Sequence, residues 1–431
     1  MKQVLTASSP LLLGILFLMI GNGLQGTLLG VRAELEGFST TEVSFVMSGY
    51  FLGFLGGSRI APDLIRRVGH VRVFAALASF ISAALILFPV IANPWVWMAL
   101  RVVIGFCFSG VYVTAESWLN NAASNETRGK TLSAYLLVQL AGLVIAQAIL
   151  SRGDPSGFVL FVIPSVLVSI SFAPILLSIT PTPPFETSKP MTFRRLYEAS
   201  PLGIVGMFLM GGVFSAQMSM AAVYATQADF DLAKISAFVA AIFIGGAVFQ
   251  LPVGYFSDRI DRRVVILFVA AMGATACFAG FALAPGYRVA LLIGFIAGGA
   301  ANPLYSLLIA HTNDHLETDE MASASGAMMF VNGLGSVTGP LLAGWFMSRV
   351  GPPGYFLFQG LLMASVTLYA VWRTTRRASI AVEDTSHYVA VMPSTSPVGS
   401  EVAQEVAIEM AEAEAEADAA TEAETDRTAA Q

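Results

Sequence analysis

The stretch Gly254-Tyr255-Phe256-Ser257-Asp258-Arg259-Ile260-Asp261-Arg262-Arg263 places a dense group of charges between two long apolar runs. The runs cover about 234–256 and 264–284, and each is long enough to cross a bilayer as a helix. A carboxylate and several guanidinium groups at the ends of two helices can form charge-assisted hydrogen bonds with each other and with the helix termini. Such contacts can hold one conformation and release it. The stretch therefore predicts a conformational latch, and a purely topological role for the charges is the alternative. The latch residues are Asp258, Arg259, Arg262 and Arg263.

Apolar runs separated by short charged or Pro/Gly-rich segments recur along the whole chain. Of the 431 residues, 55% are hydrophobic and only 12% are charged, whereas a soluble globular protein has about 25% charged residues. So few charges cannot cover a water-exposed surface. Because a span needs about 20 mostly apolar residues, we predict an all-α membrane protein with about twelve transmembrane helices. The candidate spans, numbered 1 to 12, are roughly 11–31, 42–61, 72–92, 95–119, 131–150, 157–179, 201–224, 234–256, 264–284, 288–310, 321–347 and 354–372.

The two halves of the chain resemble each other. An offset of about 190 positions aligns 17–19, Phe-Leu-Met, with 208–210, and aligns Gly105-Phe106 with Gly294-Phe295. Parallel repeats of six spans can build a transporter with a solute site near the membrane midplane, between the repeats. We therefore predict two pseudo-symmetric six-helix bundles.

Two polar segments divide the chain further. Residues 180–200 contain four prolines and several charges, so this segment cannot be a span. The predicted regions are an N-terminal half at 1–179, a cytoplasmic linker at 180–200, a C-terminal half at 201–377 and an acidic tail at 378–431. The tail leads into an Ala/Glu run in which we find no apolar face to dock it. We expect it to be disordered, with a regulatory or partner-binding role as the alternative.

Lys and Arg are distributed unevenly between the two sets of loops. Short cytoplasmic loops retain these residues. If the N-terminus is cytoplasmic, the inner loops hold most of them. The outer loops then hold Arg32, Arg152, Lys234, Arg288 and Arg349. We expect both termini to be cytoplasmic in a bacterial-type inner (plasma) membrane.

The 254–263 stretch resembles the signature loop of the major facilitator superfamily, Gly-x-x-x-Asp-Arg-x-Gly-Arg-(Lys/Arg). It departs from that pattern at Asp261, where the family has Gly. The corresponding loop of the first half, 62–70, keeps the Arg-x-Gly part but has Arg66 in the Asp position. Asp63 is a candidate substitute there. The resemblance covers about residues 10 to 375 and excludes the tail.

Other residues extend the resemblance. Arg101, followed four residues later by Gly105, looks like the membrane-embedded Arg of the family. An Arg within a span costs about 2.5 to 3.5 kcal/mol on insertion scales, so it usually faces a wet cavity or a partner. Snorkelling to the outer interface is the alternative. The pairs Glu116-Ser117 and Ala134-Tyr135, with the 125–130 segment, look most like a little-characterised bacterial branch of transporters.

The resemblance implies that spans 1, 4, 7 and 10 line the solute cavity. Polar residues within those spans are the candidate cavity residues, although each could instead bond a neighbouring helix. They are Asn22, Gln25, Arg101, Tyr112, Gln217, Tyr224, Asn302 and Tyr305.

Glu116 is the carboxylate that lies clearly within a predicted span. Buried acids commonly carry coupling protons, so Glu116 is the candidate for proton coupling. Its position near the inner end of span 4 leaves an alternative, in which it is a structural partner of Arg128 or of the adjacent loop.

The resemblance implies a secondary active transporter that works by alternating access. The chain has no Gly-x-x-x-x-Gly-Lys-(Ser/Thr) loop, so ATP is not an energy source within it. Arg101 favours a small polar or anionic solute. Efflux of an amphiphilic compound is the alternative suggested by Phe- and Met-rich spans, and a transporter-like membrane sensor or scaffold is another.

We expect no catalytic residues, no metal and no cofactor. Cys107 and Cys277 lie in apolar runs, and no cluster of His, Asp and Glu falls at one depth, which argues against an enzyme. The expected partners are a small-molecule solute, a coupling proton and the lipid bilayer. Nucleic acid is not expected, and neither is a second copy of the chain.

Overall fold

A computed structural model describes residues 2–122, 127–173, 191–376, 385–396 and 398–410. Within these ranges every regular element is a helix. The first half contains α1 (Lys2–Leu35), α2 (Thr40–Val68), α3 (His70–Leu87), α4 (Pro94–Ala122), α5 (Arg128–Leu150) and α6 (Val159–Ser171). The remainder contains α7 (Phe193–Ala199), α8 (Pro201–Ser219), α9 (Ala221–Gln227), α10 (Leu232–Ser257), α11 (Arg262–Leu283), α12 (Tyr287–Asn313), α13 (Thr318–Val350), α14 (Gly354–Thr374) and α15 (398–410).

Polar side chains fix where several helices begin. At the start of α2, Ser39 Oγ accepts from Glu42 N (3.3 Å) and the Glu42 carboxylate accepts from Ser39 N (2.8 Å), which forms a capping box. Asp261 accepts from Arg263 N (3.0 Å) at the start of α11. An N-terminal cap of this kind contributes about 1 kcal/mol.

The helices match the predicted spans. Ten described helices are long and apolar enough to cross a membrane, namely α1, α3, α4, α5, α8 and α10 to α14. Two helices are not among these ten, α2 because of its charged end and α6 because it is short. Both nevertheless lie where spans 2 and 6 were predicted. The seventh span is α8 followed by α9, with an interruption at Met220. An all-α membrane protein with about twelve spans in two six-helix bundles is thereby confirmed.

The linker is described only in part, because residues 174–190 lie outside the described residues. The following segment is tied to α13, since Met191 N donates to Ser323 O (2.8 Å) and Arg195 pairs with Glu320 (3.0 Å). The division of the chain at 179 and 200 stays a prediction.

The two halves meet closely at the end of the molecule where α1 ends and α2 begins, which we call the closed end. Gln227 Nε2 donates to Thr40 Oγ1 (2.8 Å), and Ser48 Oγ donates to Val337 O (2.6 Å). Gly30 lies directly against the second half, where α9 begins. These contacts join helices of opposite halves, so the molecule is shut at this end.

The opposite end, where α2 ends and α5 begins, we call the basic end. It carries the loops with Arg66, Arg128 and Arg262. A cavity of about 580 Å³ lies between α2 and α13 there. Residues 385–410, apart from the undescribed Pro397, occupy the space beside this cavity, between the two halves.

The expectation of a disordered tail is wrong for residues 385–396 and 398–410. Val398, Val402 and Val406 recur every four residues on α15 and are each no more than 8% exposed. This spacing gives the helix one apolar face, which packs against the helical bundles. The expectation overlooked that face because the valines stand at the start of an Ala/Glu-rich run. Residues 377–384 and 411–431 lie outside the described residues.

Candidate functional site

Four of the predicted cavity residues form one hydrogen-bonded network inside the first half. Asn22 Nδ2 donates to the Tyr112 hydroxyl (3.0 Å), and Gln25 Nε2 donates to Asn22 Oδ1 (3.3 Å). Arg101 Nη1 donates to Gln25 Oε1 (3.0 Å). Tyr50 of α2, which the sequence analysis did not select, accepts from Asn22 (3.3 Å). The network therefore links α1, α2 and α4.

The guanidinium of Arg101 is buried without a carboxylate partner in the described part of the chain. The residue is 3% exposed, and its neighbours are the Tyr50 ring, 4.6 Å away, and the Met47 sulfur, 3.9 Å from Nη2. Its Nε has no hydrogen-bond partner. A buried, unpaired charge is costly. Arg101 is therefore a buried cation, and its place in a solute cavity stays a prediction.

The predicted residues of the second half are buried but are not linked into such a network in the described structure. Gln217, Asn302 and Tyr305 are 3%, 8% and 1% exposed. Gln217 Nε2, Asn302 Oδ1 and the Tyr305 hydroxyl have no hydrogen-bond partner. Tyr224 lies elsewhere, in an aromatic cluster where its ring stacks on Tyr355 at 5.2 Å. These three polar atoms thus lack partners within the described residues, and Tyr224 packs in an aromatic cluster. A place for the four residues in a solute cavity stays a prediction.

None of the eight predicted cavity residues lines the 580 Å³ cavity at the basic end. Its walls come from α2, α7, α8, α13 and the tail, and they include Phe51, Phe54, Phe214, Met329 and Phe330. The space beside α12 is taken up by the tail, since Val391 N donates to Ser306 Oγ (3.0 Å). The open space therefore lies to one side of the predicted solute path.

Glu116 lies near the end of α4 and is 2% exposed. Its carboxylate accepts hydrogen bonds from Ser396 N (2.9 Å), from Gly399 N (3.1 Å) and from the Tyr135 hydroxyl. The structural partners of Glu116 thus include the tail as well as α5. A role in proton coupling stays a prediction.

The predicted latch contains a buried ion pair. Arg262 was predicted as a latch residue, but its partner Asp314 was not. Arg262 Nη1 lies 2.5 and 2.6 Å from the two carboxylate oxygens of Asp314, and both side chains are almost fully buried. Arg262 Nε donates to Ser257 Oγ (2.9 Å), and Nη2 donates to the carbonyl of Ser386 in the tail. Asp258 Oδ1 is 3.6 Å from Arg262 Nη2. The latch cluster therefore joins the ends of α10, α11 and α12 to the tail.

Asp258 also contacts the tail directly. Its carboxylate accepts from Tyr388 N (2.9 Å). Burial raises the pKa of Asp258 above its usual range, although the hydrogen bond from Tyr388 and the charge of Arg262 act in the opposite direction.

The other latch residues act locally. Arg259 lies over the Tyr255 ring, 3.8 Å from its centroid, and donates to the Tyr255 carbonyl (3.2 Å). Arg263 pairs with Asp261 (2.9 Å). Burial opposes ionisation of Asp261, but the hydrogen bonds from Arg263 hold its pKa below the usual range. The departure from the family pattern at Asp261 is thus a helix cap for α11.

The first-half loop holds a local pair. Asp63 and Arg66 lie three residues apart at the end of α2, are both about half exposed, and are hydrogen-bonded to each other. Asp63 therefore does reach the Arg that occupies the Asp position of the motif. Whether this pair acts as a first-half latch stays a prediction.

Sequence reasoning missed Tyr50, Asp314 and the tail partners Ser386 and Tyr388. Tyr50 lies on a helix that was not expected to line the cavity. Asp314 follows α12 in a segment that also holds His311, and its partner Arg262 is 52 positions away. The signal that could have found Asp314 was its position in a loop at the basic end, on the same side of the molecule as the Arg-rich loop of its own half.

Two helical bundles that contact each other directly at one end, with a cavity and the tail between them at the other, have the architecture of two-bundle membrane transporters. The sequence model of the Major Facilitator Superfamily matches residues 11–244 and 202–393. The chain belongs to that superfamily. The two overlapping matches agree with the internal repeat.

Curated relatives place the chain in a bacterial branch of the superfamily. It is 28% identical over 350 residues to an uncharacterized MFS-type transporter of Yersinia pestis (strain Pestoides F), covering 79% of this chain and 88% of that protein. It is 26% identical over 385 residues to the uncharacterized MFS-type transporter YcaD of Salmonella heidelberg (strain SL476), covering 88% of this chain and 97% of that protein. The predicted resemblance to a little-characterised bacterial branch is confirmed.

Solved structures share the fold at low sequence identity. A mutant form of the nucleoside transporter NupG superposes with a TM-score of 0.72 at 14% identity, over 85% of this chain and 99% of that one. A bacterial homolog of the human lysosomal transporter Spinster, in an inward-facing and unoccupied conformation, gives a TM-score of 0.66 at 14% identity, over 94% and 98%. These structures show the fold, whereas the family match and the curated relatives identify the chain as an integral membrane transporter rather than an enzyme.

Proposed function

We propose that the chain is a secondary active transporter that moves a small anionic solute by alternating access, with Arg101 as the cationic group of the solute site. The observation that supports this most directly is the buried guanidinium of Arg101, which makes no ion pair in the described structure. Gln25, which accepts a hydrogen bond from Arg101, belongs to a network of neutral residues. A solute anion would supply the missing counter-charge.

The second half supplies complementary groups in this proposal. Gly26, next to Gln25 on α1, lies near the carbonyl of Met218, next to Gln217 on α8, since a Cβ at Gly26 would be 3.9 Å from that oxygen. Gln217 therefore stands at about the depth of the Arg101 network. We assign its free Nε2, the Asn302 Oδ1 and the Tyr305 hydroxyl to the polar part of the solute.

In the proposed topology the basic end faces the cytoplasm, and both termini are cytoplasmic. The Arg-rich loops at that end support this orientation. The shut closed end and the cavity at the basic end then correspond to an inward-facing state. We further propose that the protein works as a monomer without nucleic acid. Glu116 is the candidate carrier of a coupling proton.

Efflux of an amphiphilic compound is the second candidate function. The cavity between α2 and α13 favours it, because aromatic and Met side chains line much of its wall. Such surfaces adapt to varied apolar ligands. A sensor or scaffold role is supported only by the docked tail. It gives no function to the buried Arg101 network.

Uptake into proteoliposomes tests the proposal. A panel of carboxylates, phosphate esters and amphiphilic cations is screened with and without a pH gradient. For a transported anion, Arg101→Gln should reduce uptake at least about tenfold, because the loss of one partner of a buried charge pair costs about 2 kcal/mol or more. Arg101→Lys should retain part of the activity, and the exposed Arg349→Gln is the matched control. Equal uptake by the Arg101→Gln and Arg349→Gln variants would contradict the assignment of Arg101.

A further inference from the structure

The tail contacts the first half through charges at the basic end. Arg128, at the start of α5, lies 3.0 Å from Glu405 and 2.8 Å from Glu409. Glu116 accepts backbone hydrogen bonds at the start of α15, where the positive end of the helix dipole favours a carboxylate. Two charged groups of the first half therefore hold the two ends of the same tail helix.

The same segment contacts the second half at several depths. Tyr388 N donates to Asp258, and the Tyr388 hydroxyl donates to Gln250 Oε1 (2.9 Å). Further along, Ser325 Oγ on α13 lies 2.6 Å from Ser400 Oγ. Each of these contacts spans at least 75 positions of sequence, so none arises from chain proximity. The tail is thus bonded to both bundles.

The apolar side chains of the docked tail are almost fully buried, so the surface of the docking site fits them closely. Val391 and Met392 are 3% and 5% exposed, and Val398 is 8% exposed. The main chain takes part as well, since Ser306 Oγ both accepts from Val391 N (3.0 Å) and donates to Val391 O (3.1 Å). A Cβ at Gly399 would lie 2.5 Å from Glu116 Oε2, so a side chain there would displace the Glu116 carboxylate from the start of α15.

The position of this segment has a mechanical consequence. In alternating access, the halves close at one end as they open at the other. The tail fills the space between Glu116 of the first half and Ser306 and Ser325 of the second, at the end that is now open. The halves cannot approach each other there while the tail is bound.

We propose that the cleft between the halves at the basic end is a peptide-binding site whose occupant is residues 385–410 of the same chain, and that docking holds the transporter shut at the closed end. The first part of this proposal, that the segment docks in the cleft, does not depend on the solute. The second part, that docking blocks the change of state, rests on the proposed alternating-access function. The tether through residues 377–384 keeps the segment at a high effective concentration, on the order of millimolar for short linkers.

Disulfide cross-linking tests the docking. Ser325→Cys with Ser400→Cys is made in the full-length chain, with Cys107 and Cys277 replaced by Ala and a protease site placed within 377–384. After mild oxidation and cleavage, the tail should remain attached to the transporter in most molecules, because the two hydroxyls lie 2.6 Å apart. Ser325→Cys with Glu409→Cys is the matched control, because Glu409 faces Arg128 of the other half and lies nine positions further along α15 than Ser400. Equal yields for the two pairs, or no cross-link in either, would overturn the docking site.

Cysteine accessibility tests the blocking. Val223→Cys, at the closed end, is 1% exposed and should react slowly with a water-soluble maleimide. Removal of residues 377–431 should increase that rate at least about tenfold, and a synthetic 385–410 peptide should restore the slow rate. Gly399→Ala keeps the chain length, displaces the Glu116 carboxylate, and should raise the rate in the same direction as truncation but by less. Gly286→Ala is the matched control, since nothing lies within 4 Å of a Cβ at Gly286.

An unchanged rate in both the truncated chain and Gly399→Ala would overturn the blocking. A rate that rises equally in Gly286→Ala would also overturn it, since the change would then not depend on the cleft. Failure of the proposed solute chemistry would appear only in the uptake of anions and would leave the cross-linking and labelling results unaltered.

Discussion

The carboxylate of Glu116 on α4 lies 3.1 Å from the backbone nitrogen of Gly399, 283 positions further along the chain. This contact places a buried acid at the N-terminus of the tail helix. It combines three favourable features, namely an ionisable acceptor, unpaired backbone N–H donors and a glycine that leaves room for close approach. The tail helix α15 is thereby fastened to the first half of the transporter.

Replacement of Glu116 should loosen the tail. Glu116→Gln keeps one oxygen acceptor but removes the charge. Charge-assisted hydrogen bonds contribute about 1 kcal/mol more than neutral ones, so the docked fraction relative to the free one should fall about fivefold. The yield of the disulfide cross-link between positions 325 and 400 measures this fraction. Glu34→Gln, an exposed residue at the closed end, is the control and should leave the yield unchanged.

Reversal of the charge on Arg128 should have a larger effect. Arg128→Glu faces Glu405 and Glu409 with like charges, so the cross-link yield should drop severalfold at low salt and less at high salt. Arg128→Glu combined with Glu405→Arg and Glu409→Arg should recover most of the yield. Failure of the charge swap to recover it would show that Arg128 acts through other contacts.

The Arg262–Asp314 pair should contribute strongly to stability. Both side chains are nearly inaccessible, so Asp314→Asn leaves a buried guanidinium with one partner fewer and should cost about 3–5 kcal/mol. Glu198→Gln removes the carboxylate of the exposed pair with Arg194 and should cost at most about 1 kcal/mol. Thermal unfolding in detergent compares the two variants. Similar decreases in Tm would contradict the assignment of Asp314 as a buried partner.

Asp258 should make stability depend on pH. Burial raises its pKa above the ordinary value of about 3.9, against the effects of Tyr388, Arg262, His387 and Arg259. A group whose folded pKa is raised contributes stability that is complete below its ordinary pKa and is lost as the pH rises through the folded pKa. Asp258→Asn carries no charge and can still accept from Tyr388 N. Its Tm should therefore exceed that of the native chain at neutral pH, and the difference should vanish toward about pH 4.

Asp231→Asn is a control of opposite sign for that experiment. The hydrogen bond from Lys234 holds the pKa of Asp231 below its usual range. Its contribution to stability is present above the ordinary pKa and is lost as the pH falls through the folded pKa. The Asn variant should therefore be less stable than the native chain at neutral pH. A Tm difference of the same sign in both variants would contradict the account of Asp258.

The spans and the family were predictable from the sequence because both depend on local patterns. Apolar runs of fixed length give the helices, and the 254–263 stretch gives the superfamily. The pairing of Arg101 with Gln25 was not predictable, although both residues were selected, because 76 positions separate them. Tyr50 was not predicted because the family resemblance implies that spans 1, 4, 7 and 10 line the cavity, and Tyr50 lies on α2.

The tail was misjudged for a different physical reason. Val398, Val402 and Val406 have helical spacing, but three valines beside an Ala/Glu run are a weak signal for a docking helix. The stabilising contacts come from distant residues such as Glu116 and Ser325. Those contacts exist only once both halves have folded, so no local pattern reports them.

Distances between the halves test the central claim most directly. Spin labels at Lys130 and Ile260 report on the basic end, and labels at Leu35 and Leu283 report on the opposite end; all four positions are exposed. Pulsed electron paramagnetic resonance compares the full chain with one that lacks residues 377–431. We expect removal of the tail to add a shorter population at the basic end and a longer one at the opposite end. Identical distance distributions in the two chains would contradict a transporter that the tail holds in one state of its cycle.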